Sequence, residues 1–178
     1  MRTNYYVCAD LHLGHKKLAQ ELDRPDNVEQ IIFSNIRKVE EHSILINLGD
    51  VAFGKEHEWH LCLRDRTKAK SILVLGNHDK RTLSWYYNHG WDFVCSRFDL
   101  FIFGQRIAFS HRPVIDDGSF DLNVHGHFHN CLFKFWESDL VNRLTDKHVL
   151  IKMEHSYAPF NLQHVIANKK DFMTLNFR

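Results

Sequence analysis

The chain has 178 residues, 44% of them hydrophobic and 25% charged, and its 23 basic and 22 acidic side chains leave a net charge of +1. That length suits one domain over residues 1–178 with a core of its own, and that composition excludes a disordered chain. The near-neutral balance, broken only by short clusters such as Lys68-Ala69-Lys70 and Lys169-Lys170, provides no basic stripe for nucleic acid or an anionic membrane.

The N-terminal MRTNYYVCAD lacks the charged-then-apolar order of a secretory leader, and no apolar run reaches the roughly 18 residues of a membrane span. Cys8, Cys62, Cys95 and Cys131 form no C-x-x-C pair, so free thiols in a reducing cytoplasm are expected rather than disulfides or a zinc ribbon. One residue type is in excess: there are 14 histidines, and imidazole is the commonest metal ligand among side chains.

In chain order, short apolar runs alternate with helical patterns. Residues 5–9 predict a strand. Asn27 with Gln30 resembles a capping box, and the helix after it would align Val28, Ile31, Ile32, Ile36 and Val39 on one face. A strand over 43–47, a helix over 55–63, a strand over 71–75 and a short helix over 82–89 follow. Residues 100–103 and 106–110 read as two strands about a Gly104-Gln105 turn. Further strands are expected at 122–125, 132–136 and 148–154, and Pro159 opens a last helical turn. The first half suits a parallel sheet with crossover helices, the second a sheet with antiparallel pairs.

The informative positions follow the apolar runs. Tyr6–Ala9 leads into Asp10-Leu11-His12, Ile44–Leu48 into Gly49-Asp50, and Ile72–Leu75 into Gly76-Asn77-His78-Asp79. Ile107–Ser110 is followed by His111, and Leu122–His125 by Gly126-His127-Phe128-His129. In open α/β sheets the carboxyl edge of the strands is where ligands bind. Asp10, His12, Asp50, Asn77, His111, His127 and His129 exceed the four ligands of one tetrahedral site. They suit two divalent ions if a carboxylate bridges, and mixed nitrogen and oxygen donors favour manganese, iron, zinc, cobalt or nickel over magnesium or calcium.

These blocks resemble the signature of the calcineurin-like metallophosphoesterases: D-x-H, G-D, G-N-H-[DE], a lone H and G-H-x-H, all present in order between residues 10 and 129. DLHLGHKK with Arg24-Pro25, and Tyr157-Ala158-Pro159 near the end, are similar to the small bacterial and phage-type members. The resemblance implies an α/β fold of two packed mixed β-sheets flanked by helices, a four-layer α/β/β/α sandwich. It implies that Asp10, His12 and His129 hold one metal, that Asn77, His111 and His127 hold the other, and that Asp50 bridges. Manganese leads the candidate ions. His78 would sit over the phosphate and assist the leaving group, with Asp79 orienting it. Physically, two ions ~3.5–4 Å apart can clamp both oxygens of an in-line displacement while the water between them ionises to the attacking hydroxide.

His15, Arg24 and Arg112 are candidates for contacting the substrate. His57-Glu58-Trp59-His60 is one residue short of H-E-x-x-H and is set aside as a zinc-protease signal. His125 is expected to end its strand, at most behind the ligands. The reading is therefore a dimetal phosphodiesterase or phosphatase acting on a small phosphoester, nucleotide-type among the options. Specificity would lie in loops 13–26, 51–60, 112–121 and 137–147. A metal-dependent nuclease is an alternative that the charge balance disfavours. A non-catalytic scaffold keeping the fold is another, although no ligand of the pattern is missing. Oligomeric state is not legible.

Overall fold

In the computed structural model, residues 3–129 and 138–173 are described. The expected strand at 132–136 and Cys131 lie outside them. Two sheets form. The first has the order β4-β3-β2-β1-β9 and the second β5-β6-β7-β8.

The first sheet is built by crossovers. Strand β1 (Tyr5–Cys8) leads through α1 (Lys16–Glu21) and α2 (Val28–Ile36) to β2 (Ile44–Asn47). Helix α3 (Glu56–Asp65) leads to β3 (Lys70–Val74), and α4 (Leu83–Asn88) to β4 (Phe93–Cys95). All four strands are parallel, as connections of this length with a helix require. Only Ser96 then separates β4 from β5 (Arg97–Ile102), which opens the second sheet with β6 (Gln105–Ser110), β7 (Leu122–His125) and β8 (His148–Leu150). Between β7 and β8 lies α5 (Ser138–Val141). After β8 a 3₁₀ turn (Met153–His155) returns the chain to β9 (Phe160–Asn161), antiparallel to β1, followed by α6 (Leu162–Ala167) and α7 (Lys169–Phe172).

Period-two burial produces the layers. Val7, Ile46 and Val74 face the second sheet, where they meet Ile107, Phe109, Val124 and Val149. Their neighbours Cys8, Leu45 and Leu73 face the other way, against Val28, Ile32 and Ile36 of α2, Leu63 of α3 and Tyr86 of α4. On the far side of the second sheet, Phe128, Leu144 and Leu150 pack with Leu140 and Val141 of α5. Two mixed sheets flanked by helices result, as the sequence implied.

Several local expectations change. Among the described residues the second sheet is antiparallel only at β5–β6; β6, β7 and β8 run parallel, because residues 111–121 and 126–147 provide connections long enough for crossovers. The β5–β6 turn is Phe103-Gly104, not Gly104-Gln105. Both have positive φ (54° and 76°), as a two-residue turn twisted to match its strands requires. Asn27 makes no side-chain cap, its backbone (φ −104°, ψ 26°) being outside the extended region a capping side chain needs. The expected strand at 148–154 stops at Leu150, and Pro159 precedes β9 instead of a helix, whose cap is Asn161.

Candidate metal centre

Parallel register brings the chemistry together. Cys8 pairs with Asn47 and Asn47 with Leu73, so the residues after β1, β2 and β3 emerge on one edge. Ser110 pairs with His125, so the residues after β6 and β7 do likewise in the second sheet. Backbone hydrogen bonds continue past the strands, with Asp10 N donating to Gly49 O (3.0 Å), His12 N to Asp50 O (3.0 Å) and Gly126 N to His111 O (3.0 Å).

Five candidate ligands have left-handed backbones: Asp10 (φ 56°), His12 (47°), Asp50 (54°), His127 (76°) and His129 (51°). Asp, Asn and His tolerate this region better than most residues, and such conformations persist where the surroundings enforce them. Gly126 shows the crowding. A Cβ there would lie 2.5 Å from Asp10 Oδ2 and 2.6 Å from Ala9 Cβ. At Gly76 it would lie 2.6 Å from Asp50 N.

Asp10, His12 and His129 form one buried group and Asp50, His111 and His127 another, with the donor atoms of each within 4.8 Å of one another. In the first group, Asp10 Oδ1 is 3.6 Å from His129 Nε2 and 3.9 Å from His12 Nε2. Asp10 Oδ1 and His12 Nε2 are buried without a hydrogen-bond partner. Burial, helped by the nearby His129, pushes the His12 imidazole down to about 2, so it is neutral and carries a lone pair. In the second group, His111 Nε2 is 3.0 Å from Asn77 Oδ1, 3.1 Å from His127 Nδ1 and 3.4 Å from Asp50 Oδ2. His111 Nδ1 bonds Leu48 O (2.7 Å), directing Nε2 into the cluster. Burial works against a charge on His111, yet Asp50 and Asp10 push it up to about 9. This cluster of acceptors favours a cation.

Both carboxylates are divided in the same way. Asp10 Oδ2 accepts from His127 N (2.7 Å), leaving Oδ1 to the first group. Asp50 Oδ1 accepts from His78 N (2.8 Å), while Oδ2 faces both groups, 3.6 Å from His12 Nε2 and 3.4 Å from His111 Nε2. Metal–ligand bonds of about 2.0–2.2 Å place neighbouring donors at about such separations, so the residues fit a pair of ions. All seven sequence-derived ligand candidates come together.

The remaining candidates fare differently. The His78 side chain is 38% exposed, with Nε2 4.0 Å from Asp50 Oδ2. Asp79 does not meet the expectation that it orients His78. Its Oδ2 accepts from Asp50 N (2.7 Å) and Gly76 N (2.8 Å), and its Oδ1 from Val51 N (3.2 Å). It ties two ligand loops together because its side chain turns toward the β2 loop. Arg24, expected at the substrate, is buried. It donates through Nη1 to Leu11 O (2.8 Å), through Nη2 to Asp10 O (2.9 Å), and to Glu154 through Nε (2.9 Å) and Nη2. A guanidinium so engaged braces the Asp10–His12 turn from behind. His15 caps α1, its Nδ1 accepting from Leu18 N (3.1 Å), and its ring centroid is 5.7 Å from that of His12. Arg112 is exposed and lines a cleft of about 350 Å³ with Asn77, His111, Ser96 and Arg97.

Glu154 was missed by sequence reasoning. Its Oε1 is 3.3 Å from His129 Nδ1 and bonds Arg24, joining a candidate ligand to the brace. Burial raises its carboxyl, but His129 and Arg24 outweigh that and hold it at about 2. No motif marks it; only its place in the 3₁₀ turn after β8 does.

A two-sheet sandwich with paired Asp/His groups at the strand edge defines a class of metal-binding α/β proteins. The calcineurin-like phosphoesterase profile matches residues 3–171, and the chain belongs to that family. Among solved structures, the chain is similar to AQ665 from Aquifex aeolicus, a protein of unknown function (TM-score 0.73, 21% identity, 93% of this chain and 99% of that one). It also matches an archaeal phosphodiesterase (0.49, 17%, 84% and 82%) and Vps29 from Entamoeba histolytica (0.45, 16%, 71% and 65%). No curated protein sequence matches. Among the described residues, no helix is long and apolar enough to cross a membrane.

Proposed function

We propose that this chain hydrolyses phosphoesters with two divalent ions, one held by Asp10, His12 and His129, the other by Asn77, His111 and His127, with Asp50 shared. The observation that carries this reading is the convergence of lone pairs. Asp10 Oδ1 and His12 Nε2 are buried without partners opposite His129 Nε2, and Asp50 Oδ2 faces both groups. When bound, the ions would polarise a phosphoryl oxygen and supply an ionised water near neutral pH.

The protein's own residues do the rest. Leu48 O, Glu154 and the His127 and His78 amides orient the ligands, so little reorganisation accompanies the reaction. His78, at the solvent side of Asp50, passes a proton to the leaving oxygen. Asp79 holds the Asp50 and Gly76 loops in register. Arg112, in the cleft beside Asn77 and His111, contacts a non-bridging phosphate oxygen or a second anionic group. The nitrogen and oxygen donors favour manganese, with iron, zinc, nickel or cobalt as substitutes. The substrate is a small phosphodiester or monoester. The free thiols Cys8, Cys62 and Cys95 suit the reducing cytoplasm.

The test compares bis(p-nitrophenyl) phosphate and p-nitrophenyl phosphate with Mn²⁺ and with chelator, for the wild type and His78→Ala. Metal-dependent turnover is expected, falling about 10²-fold or more in the variant while it still binds both ions. Turnover indifferent to chelator, or a His78→Ala protein that has lost its metal, overturns the assignment.

A further inference from the structure

One exposed aromatic lies beside the candidate centre, at a position that the ligand pattern does not use. Phe53 follows the Asp50 loop and is 46% exposed. Its backbone is fixed: Phe53 N donates to Leu13 O (2.9 Å), and Leu13 and Ala52 form a parallel bridge. The loop after β2 is thus laced to the loop after β1. The phenyl ring stacks on His15, with centroids 4.2 Å apart and planes 30° from parallel, and its centroid is 6.0 Å from that of His78. His15 is itself fixed as the cap of α1 and lies 6.4 Å from His78.

Exposure alone marks nothing, since Phe93 and Phe101 are at least as open; Phe53 differs from them in being stacked on His15 beside His78. Fixing it rigidly about 6 Å from the group that meets the leaving oxygen gives it a use. We infer that the Phe53–His15 stack is a shelf for a flat aromatic leaving group, and that this site prefers nucleoside or aryl phosphoesters over sugar or alkyl ones. The inference rests on the phosphoesterase reading and adds the substrate class. A pentose between phosphate and base spans about the distance from the His78 ring to the phenyl. Stacking on an aromatic side chain tolerates any base, so the shelf selects for an aromatic group without reading base identity.

The experiment measures affinity in the Mn²⁺-loaded protein by calorimetry. The ligands are the phosphonate analogues of adenosine 5′-monophosphate and ribose 5-phosphate, whose bridging methylene cannot be cleaved. The wild type is expected to bind the adenosine compound about tenfold more tightly. Phe53→Ala should bring the two affinities within about twofold of each other, and Phe53→Trp should keep the preference. An exposed side chain can be exchanged without unfolding the protein, which a melting curve verifies. Equal affinities in the wild type, or a preference that survives Phe53→Ala, overturn the shelf alone, because the ribose compound still binds. If neither compound binds and no phosphoester is hydrolysed, the phosphoesterase reading fails and the shelf fails with it.

Discussion

Replacing Glu154 by glutamine keeps the side-chain volume and removes one negative charge from between Arg24 and His129. Both side chains of the Arg24–Glu154 pair are almost wholly buried, at 2% and 3% exposure, so solvent screens them little. Burial raises the Glu154 carboxyl, yet His129 and Arg24 bring it from 4.5 to about 2. A depression of that size corresponds to ~3 kcal/mol of net interaction with the ionised form. It also lies at the lower end of the ~3–5 kcal/mol lost when one partner of a buried pair is removed. The lower end is appropriate because the glutamine carbonyl can still accept from Arg24. Because the folded pKa lies below the unfolded one, this stabilisation is complete above about pH 4.5 and is lost as pH falls through about 2, so it is in force at neutral pH. Calorimetry of the chelator-treated protein at neutral pH should show Tm lowered by about 6–12 °C. Metal titration should show the Asp10–His12–His129 group weakened about 10–100-fold, because His129 loses the carboxylate that orients it. A Tm change under about 2 °C refutes the argument that this carboxylate holds the brace.

Gly126→Ala should cost about 2 kcal/mol or more in urea unfolding, because the added methyl lies 2.6 Å from Ala9 Cβ, in the crowded loop that carries His127; wild-type stability would show that the loop yields. Asp79→Asn should lower both stability and metal affinity, because an amide replaces one of the two accepting oxygens by an NH₂ group and cannot serve all three backbone N–H groups that the carboxylate serves. A variant with normal Tm and metal content but a lowered kcat would return Asp79 to the role of orienting His78. His60 is buried and held at about 3 by desolvation and the nearby His89, and its Nδ1 accepts from Trp91 Nε1 (2.9 Å). Its folded pKa lies below the unfolded one, so its neutral form is at no disadvantage above about pH 6.5, and stability is lost as pH falls below that. The wild type should therefore lose about 1.4 kcal/mol more than His60→Gln between about pH 7.5 and about pH 5.5, and parallel stability–pH curves would show His60 titrating normally. Atomic absorption should find metal lost in His127→Ala and His129→Ala but both ions retained in His125→Ala, and a metal-free His125→Ala protein would move that residue into the ligand set.

The candidate ligands were legible in the sequence because each follows an apolar run, and parallel pairing converts the ends of runs into one edge of a sheet. Asp10, Asp50 and Asn77 follow β1, β2 and β3, while His111 and His127 follow β6 and β7. The layers were legible for the same reason, since alternate residues such as Val7 and Cys8 enter different cores. Contacts made across the fold were not legible. Glu154 meets Arg24 and His129 from the 3₁₀ turn that follows β8, and nothing in Lys152-Met153-Glu154-His155 encodes that meeting. Arg24 was expected at the phosphate only through the resemblance to the small bacterial and phage-type members, but its partners are Glu154 and the backbone carbonyls of Leu11 and Asp10. Phe53 went unremarked because one phenylalanine among 14 carries no signal until its exposure is known.

Adjacency in the chain also misled at the loops, and the cause is conformational. Asp79 follows His78, yet its carboxylate serves the Asp50 loop while His78 faces solvent, because a turn sends consecutive side chains apart. The run His125-Gly126-His127-Phe128-His129 shows the same effect. In an extended strand its three histidines would share one face and suit a single ion. The strand ends at His125, whose ring is fully buried, with Nδ1 2.9 Å from Gly126 O and a centroid 6.2 Å from that of His148. His127 and His129 then take positive φ, which breaks the alternation and turns their rings toward two different groups, one around Asp50 and one around Asp10. Spacing alone supports one site in this segment. The left-handed backbone, affordable to His and made possible by Gly126, is what divides it between two.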